Sequence, residues 1–128
     1  MEINIPEIHA EMEAAFARYE VALTGNDVGV LDELFFAAPT TIRYGMGENL
    51  YGSAEILAFR QARPSAGLQR RLAQTVITTY GRDFATASTL FYRDAAPGKV
   101  GRQMQSWVRM PEGWRVVAAH VSMIDEPA

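Results

Sequence analysis

The sequence predicts an α+β fold: a curved antiparallel sheet that packs on N-terminal helices. In the N-terminal half, apolar residues recur at spacings of three and four, as they do on amphipathic helices. From Leu68 onward they alternate with polar residues, and the breaks between the alternating segments are short. Helices that are apolar on one side bury that side against one face of such a sheet. We therefore expect the helices first and a meander of long strands after them.

Two helices are expected before the first strand. The first covers residues 6–23, and its apolar stripe consists of Ile8, Met12, Ala15, Phe16, Tyr19 and Leu23. The second is short, with Asn26 and Asp27 as candidate N-caps. It carries apolar side chains toward the core and cannot continue through Pro39, which lacks a backbone N–H.

A first strand is expected over residues 40–44, where β-branched residues alternate with others. The glycines of GMGENLYG, which follows, are typical of a turn. Ser53 is then the candidate cap of a third helix, which reaches about Ala62 and ends before Pro64.

Four long strands are predicted in the segments LQRRLAQTVITTYGRD, FATASTLFYRD, KVGRQMQSWVRM and GWRVVAAHVSMID. Short turns at residues 81–83, 95–98 and 111–113 join them, so consecutive strands should pair as antiparallel hairpins. Each strand has apolar residues at both parities, so neither sheet face is plainly polar. We expect the helices to cover one face and a second copy of the chain to cover the outer face, which gives a homodimer.

Composition excludes several classes of function. With 128 residues, 48% of them hydrophobic, the chain is expected to be one domain over residues 1–128. A net charge of -3 and scattered arginines argue against nucleic-acid binding. No segment approaches the roughly 20 apolar residues of a membrane span, and the acidic N-terminus does not resemble a signal peptide. Because there are no cysteines, we expect a cytoplasmic protein without disulfides or thiol chemistry.

Metal and serine-nucleophile chemistry are not indicated either. The two histidines, His9 and His120, are far apart and lack carboxylates at ligand spacing. The sequence has no GxSxG motif and no glycine-rich phosphate loop between a strand and a helix. We therefore expect no metal and no cofactor.

Tyr19 and Arg43 are the first candidates for a site. Tyr19 lies on the buried stripe of the first helix, so its hydroxyl either finds a partner in the core or lines a cavity. Arg43 shares a strand face with Thr41, and it is either solvated at the edge or points inward and pairs with an anion. If both point inward, they meet between helix and sheet, where they offer a cation for a carboxylate and a phenol as proton carrier.

Three further residues are candidates for substrate binding. His120 is in phase with Trp114 and Val116, so we expect it to be buried, either as a core histidine or as a catalytic base. Arg60, one turn before Arg63, lies either on the surface or at the mouth of a pocket for an acid. Trp107 shares its strand face with two glutamines, which is typical of a pocket or of a wet dimer interface. Those glutamines are Gln103 and Gln105.

Four stretches of the sequence carry a family resemblance: RYGxxENLYG, AFRxARP, TVITTYGRDFATASTLF and GKVGRQMQSWVRxPEGWRVVAAHVSxID. They resemble the AtzH-like group of small proteins, which belongs to the nuclear-transport-factor-2-like, or SnoaL-like, superfamily of cone-shaped α+β domains. The similarity runs from about Ile8 to Asp125 and implies the same fold.

The resemblance also implies a role in the breakdown of ureido acids. Some members resemble an accessory protein of oxalurate catabolism, and others act on dicarboxyurea. For this chain it implies loss of carbon dioxide from, or hydrolysis of, a small ureido carboxylate, with Tyr19 in ARYEVAL and Arg43 in TIRYG as the catalytic pair and with no cofactor. One alternative is a non-catalytic binding protein or an accessory to an amidohydrolase, and another is a pure dimerisation module.

Overall fold

The computed structural model describes residues 1–127, in which three helices precede and flank one six-stranded sheet. The helices are α1 (Pro6–Thr24), α2 (Val28–Leu34) and α3 (Ser53–Ala62). The strands are β1 (Ile42–Tyr44), β2 (Asn49–Tyr51), β3 (Arg71–Tyr80), β4 (Phe84–Tyr92), β5 (Lys99–Met110) and β6 (Gly113–Asp125). The α+β fold predicted from the sequence, with N-terminal helices and a long antiparallel sheet, is confirmed.

The strand order of the sheet is β2-β1-β6-β5-β4-β3. The four long strands form the expected antiparallel meander, whereas β1 runs parallel to β6 and places Arg43 beside Ala119. Strand β2 was not predicted, because its three residues lie between glycines in a segment that is typical of a turn. It pairs with β1 as an antiparallel hairpin.

The helices begin and end close to the predicted positions. In α1 all residues of the predicted stripe except Ala15 are buried. At the start of α2 the predicted cap Asp27 is confirmed, because its carboxylate accepts a hydrogen bond from the Val30 backbone N–H at 3.1 Å. The cap of α3 was predicted wrongly. Ser53 is the first helical residue, and Gly52 precedes it with a φ of 91°, a conformation that favours glycine.

A β-bulge in β6 explains the one misplaced candidate. Trp107 lies opposite Val116 and Ser106 opposite Ala118, so Val117 has no partner in the register. Trp114 and Val116 are buried before the bulge, and Ala119 and Val121 are buried after it. The bulge thus reverses the parity of the strand. The prediction that His120 is buried is wrong: it is exposed on the face of the sheet turned away from the helices.

The hydrophobic core lies between the helices and the sheet face that they cover, which we call the inner face. Its largest buried side chains include Ile8, Met12, Leu31, Leu34, Trp107 and Val116. The opposite face, which we call the outer face, carries Met104 and His120 among others.

In residues 1–127, no helix combines the length and the apolar character needed to cross a membrane.

Candidate functional site

A cavity of about 50 Å³ lies where α1 meets β1 and the inner face of the sheet. Its polar lining consists of Tyr19, Arg43, Arg63, Arg70, Arg93 and Gln103. Met46, which is 52% exposed, also lines the cavity, so it reaches the surface of the molecule. One water needs roughly 10–15 Å³ of such space, so the cavity admits a group the size of a carboxylate.

Tyr19 is held in place by aromatic neighbours. Its ring centroid lies 6.3 Å from each of the rings of Phe16, Phe35 and Trp107, and the Trp107 ring meets it edge-on. The residue is 3% exposed and lines the cavity. Trp107 itself is fully buried and does not line the cavity, so in this structure it supports the tyrosine.

Arg43 points inward, in agreement with one of the two interpretations of the sequence and not with a solvated position at the sheet edge. Its Nη1 donates to Glu48 Oε1 at 2.8 Å, and its guanidinium lies 5.2 Å from the centroid of the Phe59 ring. Glu48 is held by the backbone N–H of Gly47, which donates to Oε2 at 3.1 Å. Within the described residues, Nη1 is the only side-chain nitrogen of Arg43 with a hydrogen-bond acceptor. A guanidinium has five N–H donors, so donors remain for a ligand.

Gly45 is what allows Glu48 to reach Arg43. A Cβ at this position would lie 1.7 Å from Glu48 Oε1 and 2.9 Å from Arg43 Nη1, far inside contact distance. With any larger residue here, the end of the Glu48 side chain would have to shift from its position against the hairpin backbone. The sequence pattern indicates only a turn at this glycine and gives no signal for Glu48.

Arg60 and Arg63 come from the end of α3. Arg60 is 1% exposed and lies 4.8 Å from the Phe35 ring, and none of its side-chain nitrogens has an acceptor among residues 1–127. Burial lowers the Arg60 pKa; the Tyr19 phenol opposes this shift and Arg43 adds to it. A surface position for Arg60, one of the two interpretations of the sequence, is therefore wrong. Arg60 is four residues after the buried Ile56, and this helical spacing is the signal that could have placed it inside.

Arg63 lines the cavity directly. Burial, together with the nearby charges of Arg60 and Arg43, lowers its pKa to about 10. The guanidinium therefore stays charged at neutral pH. The Arg63 guanidinium lies 5.7 Å from the centroid of the Phe59 ring. Phe59 therefore contacts the guanidinium groups of both Arg43 and Arg63.

Arg70 anchors the opposite wall of the cavity. It makes a two-pronged ion pair with Glu20, with Nε to Oε2 at 2.8 Å and Nη2 to Oε1 at 2.6 Å. Its Nη2 also donates to Gln103 Oε1 at 3.1 Å, and its guanidinium lies 4.7 Å from the Phe91 ring. From the sequence, Gln103 was a candidate for either a pocket or a dimer interface, and nothing in the pattern indicated Arg70, Arg93 or Glu20.

The site carries an excess of positive charge. Glu48 pairs with Arg43 and Glu20 pairs with Arg70, but in the part of the chain that the structure describes no carboxylate lies at ion-pair distance from Arg60, Arg63 or Arg93. Charges in a partly buried site interact more strongly than in water. The arrangement therefore favours a small anion.

The structure brings together four of the five residues that the sequence nominated. Tyr19 and Arg43 line the cavity, Trp107 and Arg60 lie next to Tyr19, and His120 lies on the outer face, away from them. Over residues 1–127 there is no group of three His, Cys, Asp or Glu side chains placed to hold a metal.

Comparisons with known proteins agree with this architecture. The model of the AtzH-like family matches residues 1–127. A protein of unknown function from the DUF3225 family of Pectobacterium atrosepticum SCRI1043 is 64% identical, with a TM-score of 0.93 over 96% of this chain and 95% of that one. A cystatin-like fold protein from Burkholderia xenovorans LB400 is 48% identical, with a TM-score of 0.95 over 99% of both chains.

More distant structures share the fold alone. A nuclear-transport-factor-2-like superfamily protein from Salmonella enterica is 23% identical, with a TM-score of 0.72 over 95% of this chain and 94% of that one. Among curated proteins, none matches this sequence. The family match over nearly the full length, together with a fold of the nuclear-transport-factor-2-like type, shows that the chain belongs to the AtzH-like family.

Proposed function

We propose that this protein is a cofactor-independent enzyme that acts on a small ureido carboxylate such as dicarboxyurea or oxalurate, by decarboxylation or hydrolysis. One observation carries the proposal: the cavity is lined by four arginines and a buried tyrosine, and no Asp or Glu among residues 1–127 lines it. A small acid is the kind of ligand that such a lining attracts. Membership of the AtzH-like family supports a small-molecule enzyme or binding role.

For an N-carboxyurea the chemistry needs only two groups. Arg43 holds a carboxylate through two parallel N–H donors, which fixes the orientation of the substrate. As the C–N bond breaks, carbon dioxide leaves and the bonding electron pair stays on nitrogen. Tyr19, placed at the cavity wall, donates a proton to that nitrogen, and water later returns a proton to the phenolate. The products are carbon dioxide and the shortened urea.

One observation favours a second function, a binding protein without catalysis. Within the described residues, Tyr19 is the only cavity-lining side chain apart from the arginines that can carry a proton, because no histidine or carboxylate lines the cavity. Arginines alone are sufficient to hold an acid. In this alternative the protein presents the acid to an amidohydrolase.

Turnover distinguishes the two functions. Purified protein is mixed with dicarboxyurea or with oxalurate, and release of carbon dioxide and ammonia is followed. An enzyme releases product, Tyr19→Phe retains binding but loses turnover, and Arg43→Ala loses both. Arg102→Ala, on the outer face, is the matched control and leaves turnover unchanged. Binding in the wild type without product release from either acid would leave only the carrier function.

We also propose that a second copy of the chain covers the outer face. Met104 is 63% exposed and Val76 57% exposed there, and an open groove of about 360 Å³ runs between Ile42, Met104 and Ala118. Large exposed apolar patches on soluble proteins are typical of contact surfaces. We propose a cytoplasmic location for this homodimer, with which a cysteine-free sequence is compatible.

A further inference from the structure

The orientation of the Gln103 side chain is fixed by its neighbour. Arg70 Nη2 lies 3.1 Å from one end of the carboxamide, and a guanidinium can only donate hydrogen bonds. The end of Gln103 that faces Arg70 must therefore be the oxygen. This follows from the chemistry of arginine and does not depend on how the amide is drawn.

Arg70 is itself prevented from moving. Its two-pronged pair with Glu20 and its contact with the Phe91 ring hold the guanidinium from two sides. Phe91 in turn lies over Gly101, where a Cβ would come within 2.1 Å of the ring. This chain of contacts from Gly101 through Phe91 and Arg70 gives the Gln103 amide a single orientation.

The other end of the carboxamide is a donor without a partner. Gln103 is 1% exposed and lines the cavity, and its Nε2 has no hydrogen-bond acceptor among residues 1–127. A buried donor that is left unsatisfied is costly, so it favours a ligand that supplies an acceptor. Because the arginines already provide for the charged group, the amide suits an uncharged oxygen.

We propose that Gln103 is a specificity-determining residue that donates from Nε2 to an uncharged carbonyl oxygen of the ligand, next to the carboxylate that Arg43 holds. This inference rests on the proposed function, because it assumes that the cavity binds a small acid. It narrows the ligand class to acids with an amide or ureide carbonyl. An acid of equal length without that carbonyl leaves Nε2 unsatisfied and binds more weakly.

Two ligands of equal chain length test the inference by calorimetric titration. Carbamoylglycine carries a ureide carbonyl, whereas pentanoate carries only its carboxylate. In Gln103→Met, which keeps the length of the side chain and removes the donor, affinity for carbamoylglycine falls about tenfold. Affinity for pentanoate changes by less than about twofold, because no hydrogen bond to that ligand is lost.

Gln105→Leu is the matched control. Gln105 is also buried on the inner face of β5, but its oxygen accepts from the Trp107 indole at 3.0 Å and it does not line the cavity. The control variant should leave the ratio of the two affinities unchanged. If Gln103→Met does not fold, as judged by circular dichroism, Gln103→Leu is measured in its place, with the same expected change in the ratio.

The outcomes separate this inference from the proposed function. Equal losses for both ligands in the Gln103 variant, or no loss for either, overturn the role of Gln103 and leave acid binding intact. If the wild type binds neither ligand, both the proposed acid site and the role of Gln103 are contradicted.

Discussion

The inner face of the sheet buries Gln103 and Arg43, whereas the outer face leaves Met104 and Val76 exposed to solvent. Neighbouring residues of one strand show the contrast most clearly, because Gln103 is 1% exposed and Met104 is 63% exposed. In most antiparallel sheets with one covered face, apolar residues lie on the covered face and polar residues on the exposed face. This sheet departs from that pattern at particular positions, because Arg43 and Gln103 are buried on the inner face beside the apolar core, while Met104 and Val76 are exposed on the outer face.

This difference is consistent with a separate task for each face. A buried cation without a carboxylate partner is costly, which supports the proposal that the inner face binds a ligand that supplies negative charge. Covering exposed apolar side chains with another apolar surface is favourable, which supports the proposal that the outer face contacts a second copy of the chain. Substitutions on one face should therefore leave the property of the other face unchanged.

The largest effect is expected on the outer face. Met104→Arg places an unpaired charge at the centre of the proposed dimer contact, and burying such a charge weakens association roughly 1,000-fold. Sedimentation equilibrium should show a dimer for the wild type and a monomer for the variant. Val21→Arg, at an apolar residue of α1 that is 73% exposed, is the control and leaves the mass unchanged. A wild-type monomer would contradict the assignment.

Arg43→Ala should have the next largest effect, on the inner face. Loss of a charge-assisted, partly buried contact lowers affinity for a small carboxylate roughly 100-fold. Titration calorimetry measures the change. Arg102→Ala removes an arginine whose Nε donates to Ser122 Oγ at 3.2 Å on the outer face, and it should leave affinity for the acid unchanged. Equal losses in the two variants would mean that general charge, and not the cavity, attracts the acid.

Two glycines of the β1–β2 hairpin provide a smaller and more local test. Gly45→Ala pushes the flexible end of the Glu48 side chain away from Arg43, so we expect a loss of about 1 kcal/mol in the free energy of unfolding, the value of a partly exposed ion pair. Gly47→Ala meets no atom within 4 Å and should change that free energy by less than about 0.5 kcal/mol. Urea unfolding measures both. Equal effects of the two substitutions would contradict the importance of the Arg43–Glu48 pair.

The smallest effect concerns pH. The pKa of Arg63 is lowered to about 10, so in the folded protein this cation loses its proton at lower pH than an ordinary arginine. Affinity for pentanoate should change by less than about twofold between about pH 6 and about pH 9, and it should fall as the pH rises through about 10. In Arg63→Gln the fall near pH 10 should disappear. A strong loss near neutral pH would show that another group controls binding.

The architecture could be predicted well from the sequence, because helices and long strands leave periodic patterns of apolar residues. The stripe of α1 placed Tyr19 inside, and the alternation around Ile42 gave Arg43 its parity, so the pair that lines the cavity could be nominated. Strand β2 is too short to show a period, and the parallel pairing of β1 with β6 joins segments that are distant in sequence. Neither feature leaves a local pattern.

The remaining site residues depend on tertiary contacts. The bulge at Val117 reverses the parity of β6 without a glycine or proline to mark it, which is why His120 was placed on the wrong side. Arg70 and Glu20 are 50 residues apart, and their pairing cannot be deduced from spacing. Only Arg60 carried a usable signal, the interval of four residues from Ile56.

A crystal structure of the protein with carbamoylglycine tests the central claim most directly. The account predicts the carboxylate of the ligand within about 2.7–2.9 Å of Arg43 guanidinium nitrogens, inside the cavity that Tyr19 lines. Ligand density confined to the outer face, or a ligand that leaves the Arg43 guanidinium without contact, would contradict it.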